Sequence, residues 1–145
     1  MELRHYQYAA KQAVYEYWQR NPQGSALLSM CTGSGKSLCI ADITRDVIQK
    51  RDNTRVIVLS HVSEILQQNA NKLFQLYENA PIGIYSATLK SKRFADRIVV
   101  AGIQSVHKKA NALGWFSLVI IDEAHLCSEK DAGMYRKFIA GLRRI

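Results

Sequence analysis

The stretch that decides the fold is MCTGSGKS, residues 30–37, which follows the apolar run ALLS and precedes the helix-forming run LCIADITRDVIQK. A glycine-rich turn between a strand and a helix is the setting of a phosphate-binding loop, because glycine lets backbone N–H groups approach phosphate oxygens. The following helix adds a partial positive charge at its N-terminus. The general pattern G-x-x-x-x-G-K-[ST] is not fully met, since Met30 stands where the first glycine is expected. We predict a phosphate-binding loop, against the alternative of a plain glycine turn before a helix.

The residue types within this loop match the parts of a nucleotide site. Lys36 is placed to reach the β- and γ-phosphates, and the Ser37 hydroxyl to ligate Mg²⁺. The other loop residues predicted to bind the nucleotide are Thr32, Gly33, Ser34 and Gly35.

A second motif follows an apolar run further along the chain. Residues 118–121, LVII, lead into Asp122, Glu123, Ala124 and His125. In a parallel α/β sheet both carboxylates then lie at the carboxyl edge, beside the phosphate loop. Asp122 is predicted to hold Mg²⁺ through water, because that ion retains much of its hydration shell, and Glu123 to deprotonate the attacking water. The alternative is a solvated Asp-Glu pair at a strand end.

Apolar strands and amphipathic helices alternate along the chain. The predicted helices cover residues 6–18, 36–50, 62–77, 103–112 and 130–142, and the predicted strands cover 26–30, 55–60, 82–86, 97–101 and 117–121. Strands that are apolar on both faces and separated by helices imply a parallel sheet covered on both sides. We predict one three-layer α/β/α domain over residues 1–145, with a mainly parallel, doubly wound sheet.

Together these motifs resemble the first RecA-like domain of superfamily 2 helicases of the DEAH-box type. The resemblance rests on CTGSGKS at residues 31–37, on DEAH at residues 122–125 and on the order of the elements, and it covers nearly the whole chain. It implies Mg²⁺ and ATP as cofactors, and His125 as the residue that couples hydrolysis to nucleic-acid binding by a hydrogen bond to a neighbouring motif. The alternative for His125 is an ordinary loop histidine. The resemblance also implies a second RecA-like domain, expected beyond residue 145, without which the domain is nearly inactive.

The N-terminal run LRHYQ, residues 3–7, is similar to an upstream helicase motif whose glutamine contacts adenine. This implies that Gln7 reads adenine and that Arg4 helps it. The amide of glutamine both donates and accepts, so it can pair with N6 and N7 of adenine. The alternative is a surface glutamine in the first turn of a helix.

Two internal stretches carry the resemblance further. VLSHV at residues 58–62 is similar to motif Ia, and AGIQSV at residues 101–106 to a later motif that contacts the nucleic-acid backbone. They imply His61, Gln104 and Ser105 as nucleic-acid contacts. Within the superfamily they are most similar to RadD-type DNA repair helicases and phage relatives.

The charge balance fits such a partner. The chain has 20 Lys and Arg against 12 Asp and Glu, a net charge of +8. This surplus favours DNA or RNA as a partner, although basic surfaces also serve solubility. Contacts to backbone phosphates need cations rather than base-reading geometry, so we expect binding without sequence specificity. The cations of this predicted surface are Lys90, Lys92, Arg93 and Arg97 around one loop, with Lys108 and Lys109 on the next helix.

Composition excludes several other classes. With 48% hydrophobic and 22% charged residues the chain is not a disordered tail, and its apolar runs are too short to span a membrane. The N-terminus has no apolar signal-peptide core, and Cys31, Cys39 and Cys127 have no metal-binding spacing, so we expect a reducing, cytoplasmic setting. Two other functions stay open: a P-loop ATPase that does not act on nucleic acid, and a non-catalytic nucleic-acid-binding module.

Overall fold

A computed structural model describes residues 2–126 and 128–142 of the chain. Its elements are α1 (His5–Arg20), α2 (Lys36–Lys50), β1 (Val56–Ser60), α3 (Ser63–Leu76), β2 (Ile82–Ser86), β3 (Ser91–Lys92), β4 (Ile98–Gly102), α4 (Ile103–Val106), α5 (Ala110–Leu113), β5 (Leu118–Ile121), a 3-10 turn (Ala124–Leu126) and α6 (Glu129–Gly141). Over these residues, none of the helices has the length and apolar character needed to cross a bilayer.

The sheet has five strands in the order β3-β2-β4-β1-β5. The four longer strands run parallel, with Val56 of β1 paired to Ile98 of β4 and to Leu118 of β5, so their carboxyl ends meet at one edge. The two-residue strand β3 pairs antiparallel to β2. It lies in the loop that carries Lys90, Lys92 and Arg93. The predicted mainly parallel sheet is confirmed. The short antiparallel strand β3 was not predicted.

Alternate residues of each strand point to opposite faces of the sheet. On β1, Val56 and Val58 pack toward α2 and α3, whereas Ile57 and Leu59 pack toward α4, α5 and α6. Phe138 of α6 is fully buried in the core between the sheet and the helices α4, α5 and α6. The three-layer α/β/α architecture is therefore confirmed.

The strand predicted for residues 26–30 is wrong, because this segment makes no strand pairing. Leu27 is 88% exposed. Among the described residues no strand pairs with the outer edge of β5, whose four residues are only half-buried. A cavity of about 340 Å³ lies beside that edge, lined by residues 26–30, by α2 and by β5. A short apolar run does not by itself distinguish a strand from extended coil, because the same pattern fits both.

The single helix predicted for residues 103–112 is interrupted. Ile103 and Val106 are buried by α4, and Ala110 and Leu113 by α5. Between the two helices the chain tightens, with the backbone N–H of Lys109 donating to the Val106 carbonyl at 2.8 Å. Each short helix buries its own pair of side chains, and because the four positions keep helical spacing, the apolar pattern does not reveal the break.

The apolar repeat that predicts α1, at Tyr6, Ala9, Ala10, Ala13, Val14, Tyr17 and Trp18, matches the buried face only at Val14. Tyr6 and Tyr17 are exposed, and the buried residues are Gln7, Lys11 and Val14. This face is partly polar because α1 packs on α2, whose nearest side carries carboxylates.

Lys11 is the centre of a buried ion cluster between α1 and α2. Its ammonium is hydrogen-bonded to Asp42 and lies 2.7 Å from Asp46 Oδ2, with the Lys11 side chain only 11% exposed. Burial opposes the charge of Lys11, but its hydrogen bonds to both carboxylates outweigh that effect and raise its pKa. Burial also opposes the charge of Asp46, yet hydrogen bonds from Lys11 and Tyr15 lower its pKa. The cluster holds α1 on the helix that follows the phosphate loop.

Candidate nucleotide and nucleic-acid site

The predicted loop is present as a tight turn before α2. The backbone N–H of Ser34 donates to the Cys31 carbonyl at 3.1 Å. Gly33 and Gly35 have φ of +76° and +81°, a left-handed conformation that other residues rarely adopt. Thr32 and Gly33 are exposed at the tip, and nothing lies within 4 Å of a Cβ built on Gly33. The glycines are therefore required by the backbone and leave the tip of the loop open.

Gln7 is docked on this loop from α1. It is only 3% exposed, and its Nε2 donates to the Ser34 carbonyl at 2.7 Å. Its Oε1 accepts from the backbone N–H of Arg4 at 2.8 Å. The Tyr6 hydroxyl donates to the same Ser34 carbonyl at 2.9 Å, a contact the sequence analysis missed. Because Gln7 is buried, the surface-glutamine alternative is wrong.

The phosphate loop and the acidic pair meet directly. Lys36 Nζ lies 2.8 Å from Glu123 Oε1, and both side chains are less than a quarter exposed, at 24% and 19%. His125 lies in the 3-10 turn after the pair, and its Nδ1 is 3.3 Å from Glu123 Oε2. The resemblance implies that His125 reaches a neighbouring motif, but in this structure it faces Glu123 within its own motif.

Asp122 is held more tightly than its neighbour. It is 6% exposed, and its backbone N–H donates to the Leu59 carbonyl at 3.0 Å. Asp122 Oδ1 accepts from the Glu123 N–H at 2.8 Å, and Oδ2 accepts from Asn69 Nδ2 at 2.9 Å. Glu123 itself has φ +52°, a conformation uncommon outside glycine. The sequence does not identify Asn69 as a site residue, because its position on the buried face of α3 predicts only packing.

These residues fit a metal-bound nucleotide. The Ser34 Oγ is buried with no hydrogen-bond partner among the described residues. A phosphate oxygen in this loop would accept a hydrogen bond from that hydroxyl. Ser37 lies in the first turn of α2, and Lys36 supplies the cation. In the part of the chain the structure describes, no three His, Cys, Asp or Glu side chains form a metal cluster.

A second concave surface, the basic groove, lies at the carboxyl ends of β1, β2 and β4. Its volume is about 590 Å³. Six residues of the predicted nucleic-acid surface line it: His61, Lys92, Gln104, Ser105, Lys108 and Lys109. Gln104 Nε2 donates to the His61 carbonyl at 3.0 Å, and the backbone N–H of Ala87 donates to Ser105 Oγ at 3.0 Å. The structure thus brings together residues from three separate stretches.

The charge of the basic groove has one sign. The described residues that line it include Lys92, Lys108 and Lys109 with two histidines, and no carboxylate. Lys109 Nζ donates to the Tyr85 hydroxyl at 2.8 Å and is thereby held at the groove wall. Such a surface attracts polyanions.

Three of the predicted cations lie elsewhere. Lys90 is exposed in the turn after β2 and does not line the basic groove. Arg93 is paired with Asp96 at 3.1 Å. Arg97, at the opposite edge of the sheet, donates to the carbonyls of Ile48 at the end of α2 and of Arg51 and Thr54 in the segment after it. The prediction for Arg97 is wrong, because these carbonyls at the amino edge occupy its guanidinium.

The family of the chain follows from a sequence comparison. The family model ResIII, described as the res subunit of type III restriction enzymes, matches residues 1–143. The chain belongs to this family. This assignment confirms the predicted RecA-like domain of superfamily 2 helicase type, while the narrower similarity to RadD-type helicases stays a prediction. No curated protein matches the chain.

Solved structures support the same fold. The UvsW helicase from bacteriophage T4 is 19% identical, with a TM-score of 0.70 over 98% of this chain and 49% of that chain. A nuclease-deletion mutant of the type ISP restriction-modification enzyme LlaGI, in complex with a DNA substrate mimic, is 16% identical, with a TM-score of 0.63 over 90% of this chain and 16% of that chain. The chain therefore spans about half of the UvsW chain and a smaller part of LlaGI.

Proposed function

We propose that this chain is the ATP-binding motor domain of an ATP-dependent DNA helicase or translocase. The observation that carries the proposal is the 2.8 Å ion pair between Lys36 and Glu123, which joins the phosphate loop to the acidic pair at the carboxyl edge of the sheet. These are the two parts that a P-loop ATPase needs in one place.

In the proposed site each residue has one task. Lys36 exchanges Glu123 for phosphate oxygens, and the backbone N–H groups of Thr32, Gly33 and Gly35 would donate to the same oxygens, since that of Ser34 donates to the Cys31 carbonyl. Ser37 and, through water, Asp122 would hold Mg²⁺, which would supply neutralisation of the phosphate charge. Glu123, once released from Lys36, accepts a proton from the attacking water.

Adenine recognition is proposed to come from the first turn of α1. Gln7 uses both ends of its amide, on the Ser34 carbonyl and the Arg4 N–H. An adenine base offers the same pair of partners, an acceptor and a donor, so Gln7 can exchange one set for the other. Guanine presents a carbonyl where adenine has its amino group, and so fits less well.

Nucleic acid is proposed to bind in the basic groove. Lys92, Lys108 and Lys109 would contact backbone phosphates together with His61, Gln104 and Ser105, without reading bases. Lys90 and Arg93, outside the groove, would add only long-range attraction. The LlaGI structure holds a DNA substrate mimic, which favours DNA over RNA as the polyanion for this chain.

The nucleotide site is tested by titration with fluorescent ATP and GTP analogues in the presence of Mg²⁺. We expect ATP to bind more tightly than GTP, Lys36→Ala to lose at least tenfold in affinity, and Gln7→Ala to lose the preference for ATP. Lys50→Ala, an exposed lysine at the far end of the same helix, is the matched control and should bind like wild type. Equal binding of both nucleotides by wild type would contradict adenine recognition.

The basic groove is tested by fluorescence anisotropy with single-stranded DNA. We expect Lys92→Ala and Lys108→Ala each to weaken binding and to reduce the slope of log K against log salt by about 0.7 for each phosphate that the lysine neutralises. Lys137→Ala, an exposed lysine of α6 that does not line the groove, should leave both unchanged. ATP binding without DNA binding would indicate a P-loop ATPase of another kind, and DNA binding without ATP binding a non-catalytic module.

Turnover is proposed to need a second RecA-like domain, as the helicase resemblance implies. We expect the 145-residue chain alone to hydrolyse ATP far more slowly than the roughly 10 s⁻¹ of a median enzyme. DNA-stimulated hydrolysis at that ordinary rate would overturn this part of the proposal.

A further inference from the structure

We infer that Asn69 of α3 is a positioning residue for Asp122, and the inference rests on the proposed Mg²⁺ and ATP site. Asn69 Nδ2 lies 2.9 Å from Asp122 Oδ2, across 53 residues of sequence. Asn69 is not part of the phosphate loop, the acidic pair or the basic groove.

The contact is buried on both sides. Asn69 is 1% exposed and Asp122 is 6% exposed. An ionised carboxylate only accepts hydrogen bonds, so the amide nitrogen of Asn69 must face it. The other end of the amide, Oδ1, has no partner among the described residues. A buried acceptor without a partner is unfavourable, so what the side chain contributes at this position is the bond to Asp122.

That bond fixes the plane of a predicted metal ligand. The Asp122 carboxylate has a donor on each oxygen, the Glu123 N–H on Oδ1 and Asn69 on Oδ2. The terminal torsion of an aspartate is otherwise broad, and donors on both oxygens narrow it. Groups that orient metal ligands in this way typically change metal affinity by 10- to 100-fold when removed.

The test compares metal-dependent and metal-free binding of a fluorescent ATP analogue. Asn69→Leu keeps the branching at Cγ and cannot donate. We expect it to raise the Mg²⁺ concentration for half-maximal binding about tenfold, while binding in EDTA stays within about twofold of wild type. Asn71→Leu is the matched control on the same helix, because Asn71 is exposed and accepts a hydrogen bond from its helix neighbour Gln67 at 3.0 Å. It should change neither quantity.

The outcomes separate this inference from the function on which it rests. If wild type binds the analogue without any dependence on Mg²⁺, the proposed function fails. If wild type depends on Mg²⁺ and Asn69→Leu shows the wild-type dependence, the positioning role is overturned. An equal loss with and without Mg²⁺ also overturns it, because it shows a structural role only. In the Asp122→Ala background, Asn69→Leu should add no further loss of metal dependence.

A measurement on the wild-type chain keeps the inference testable if Asn69→Leu does not fold. The side-chain amide signals of Asn69 are followed by NMR while Mg²⁺ is added to the nucleotide-bound protein. We expect them to shift with the same midpoint as binding, while the Asn71 amide signals stay in place. Unshifted Asn69 signals at saturating Mg²⁺ would overturn the assignment.

Discussion

Removing the ammonium from the cluster between α1 and α2 is expected to cost a large share of the stability of the domain. In Lys11→Met the aliphatic stem remains, but Asp42 and Asp46 lose the cation they share. Breaking a buried ion pair by removing one partner costs roughly 3–5 kcal/mol. Asp42 keeps Arg45 and Asp46 keeps Tyr15, so we expect the lower end, about 3 kcal/mol. A domain of this size would lose roughly 9 °C in Tm.

Urea unfolding followed by circular dichroism measures this loss against a control on the same carboxylate. Lys50→Met also removes a partner of Asp46, at 3.3 Å, but the Lys50 side chain is 69% exposed. An exposed pair of this kind contributes about 0.5 kcal/mol. If Lys11→Met and Lys50→Met destabilise the domain equally, the argument from burial is refuted.

The same cluster sets a pH dependence of stability. The pKa of Asp46 is lowered from 3.8, so its contribution is present above that value and is lost as the pH falls through its folded pKa. The pKa of Lys11 is raised from 10.5 and that of Tyr15, through burial and its bond to Asp46, from 10.0, so both contributions are lost as the pH rises beyond these values. We expect the unfolding free energy to fall at both ends, with the alkaline loss smaller in Tyr15→Phe. An unchanged alkaline limb in that variant would contradict the assignment.

Three further predictions concern single positions. Gly35→Ala should weaken ATP binding more than Gly33→Ala, because both have positive φ but only a Cβ at Gly35 collides with a neighbour, and calorimetric titration would show the difference. Glu123→Gln should tighten binding of a non-hydrolysable ATP analogue several-fold while abolishing hydrolysis, because it weakens the ion pair that occupies the phosphate-loop lysine; weaker binding would count against that competition. Arg97→Met should cost roughly 2 kcal/mol in urea unfolding by leaving carbonyls unpaired, yet leave the anisotropy of DNA binding unchanged.

Most of the fold was predictable because the local pattern of apolar residues determines the strands and helices. Strands such as β1 and β4 are apolar on both faces, and only a parallel sheet between two helical layers buries both. The segment 26–30 was not predictable, since pairing to β5 depends on where the turns on either side place the backbone. The break between α4 and α5 was likewise not predictable, because the apolar periodicity continues across it.

The candidate site was predictable where chemistry and spacing coincide in one stretch. The phosphate loop and the pair Asp122 and Glu123 are contiguous motifs, and the sheet then brings them together. Asn69 and Lys11 were missed because a polar residue on a helix acquires its role only from the helix or strand packed against it. Arg97 was misassigned for the opposite reason: a cation near a basic loop in sequence lies at the other edge of the sheet in space.

The backbone conformation of Glu123 lowers the stability of the fold at the candidate site. Its φ of +52° is one that glycine or asparagine adopts more cheaply than glutamate. Replacing Glu123 by glycine would relieve this conformation, so stability and the proposed proton-accepting role place opposite demands on the residue. A redesign guided by stability alone would therefore target the proposed catalytic base among its first changes.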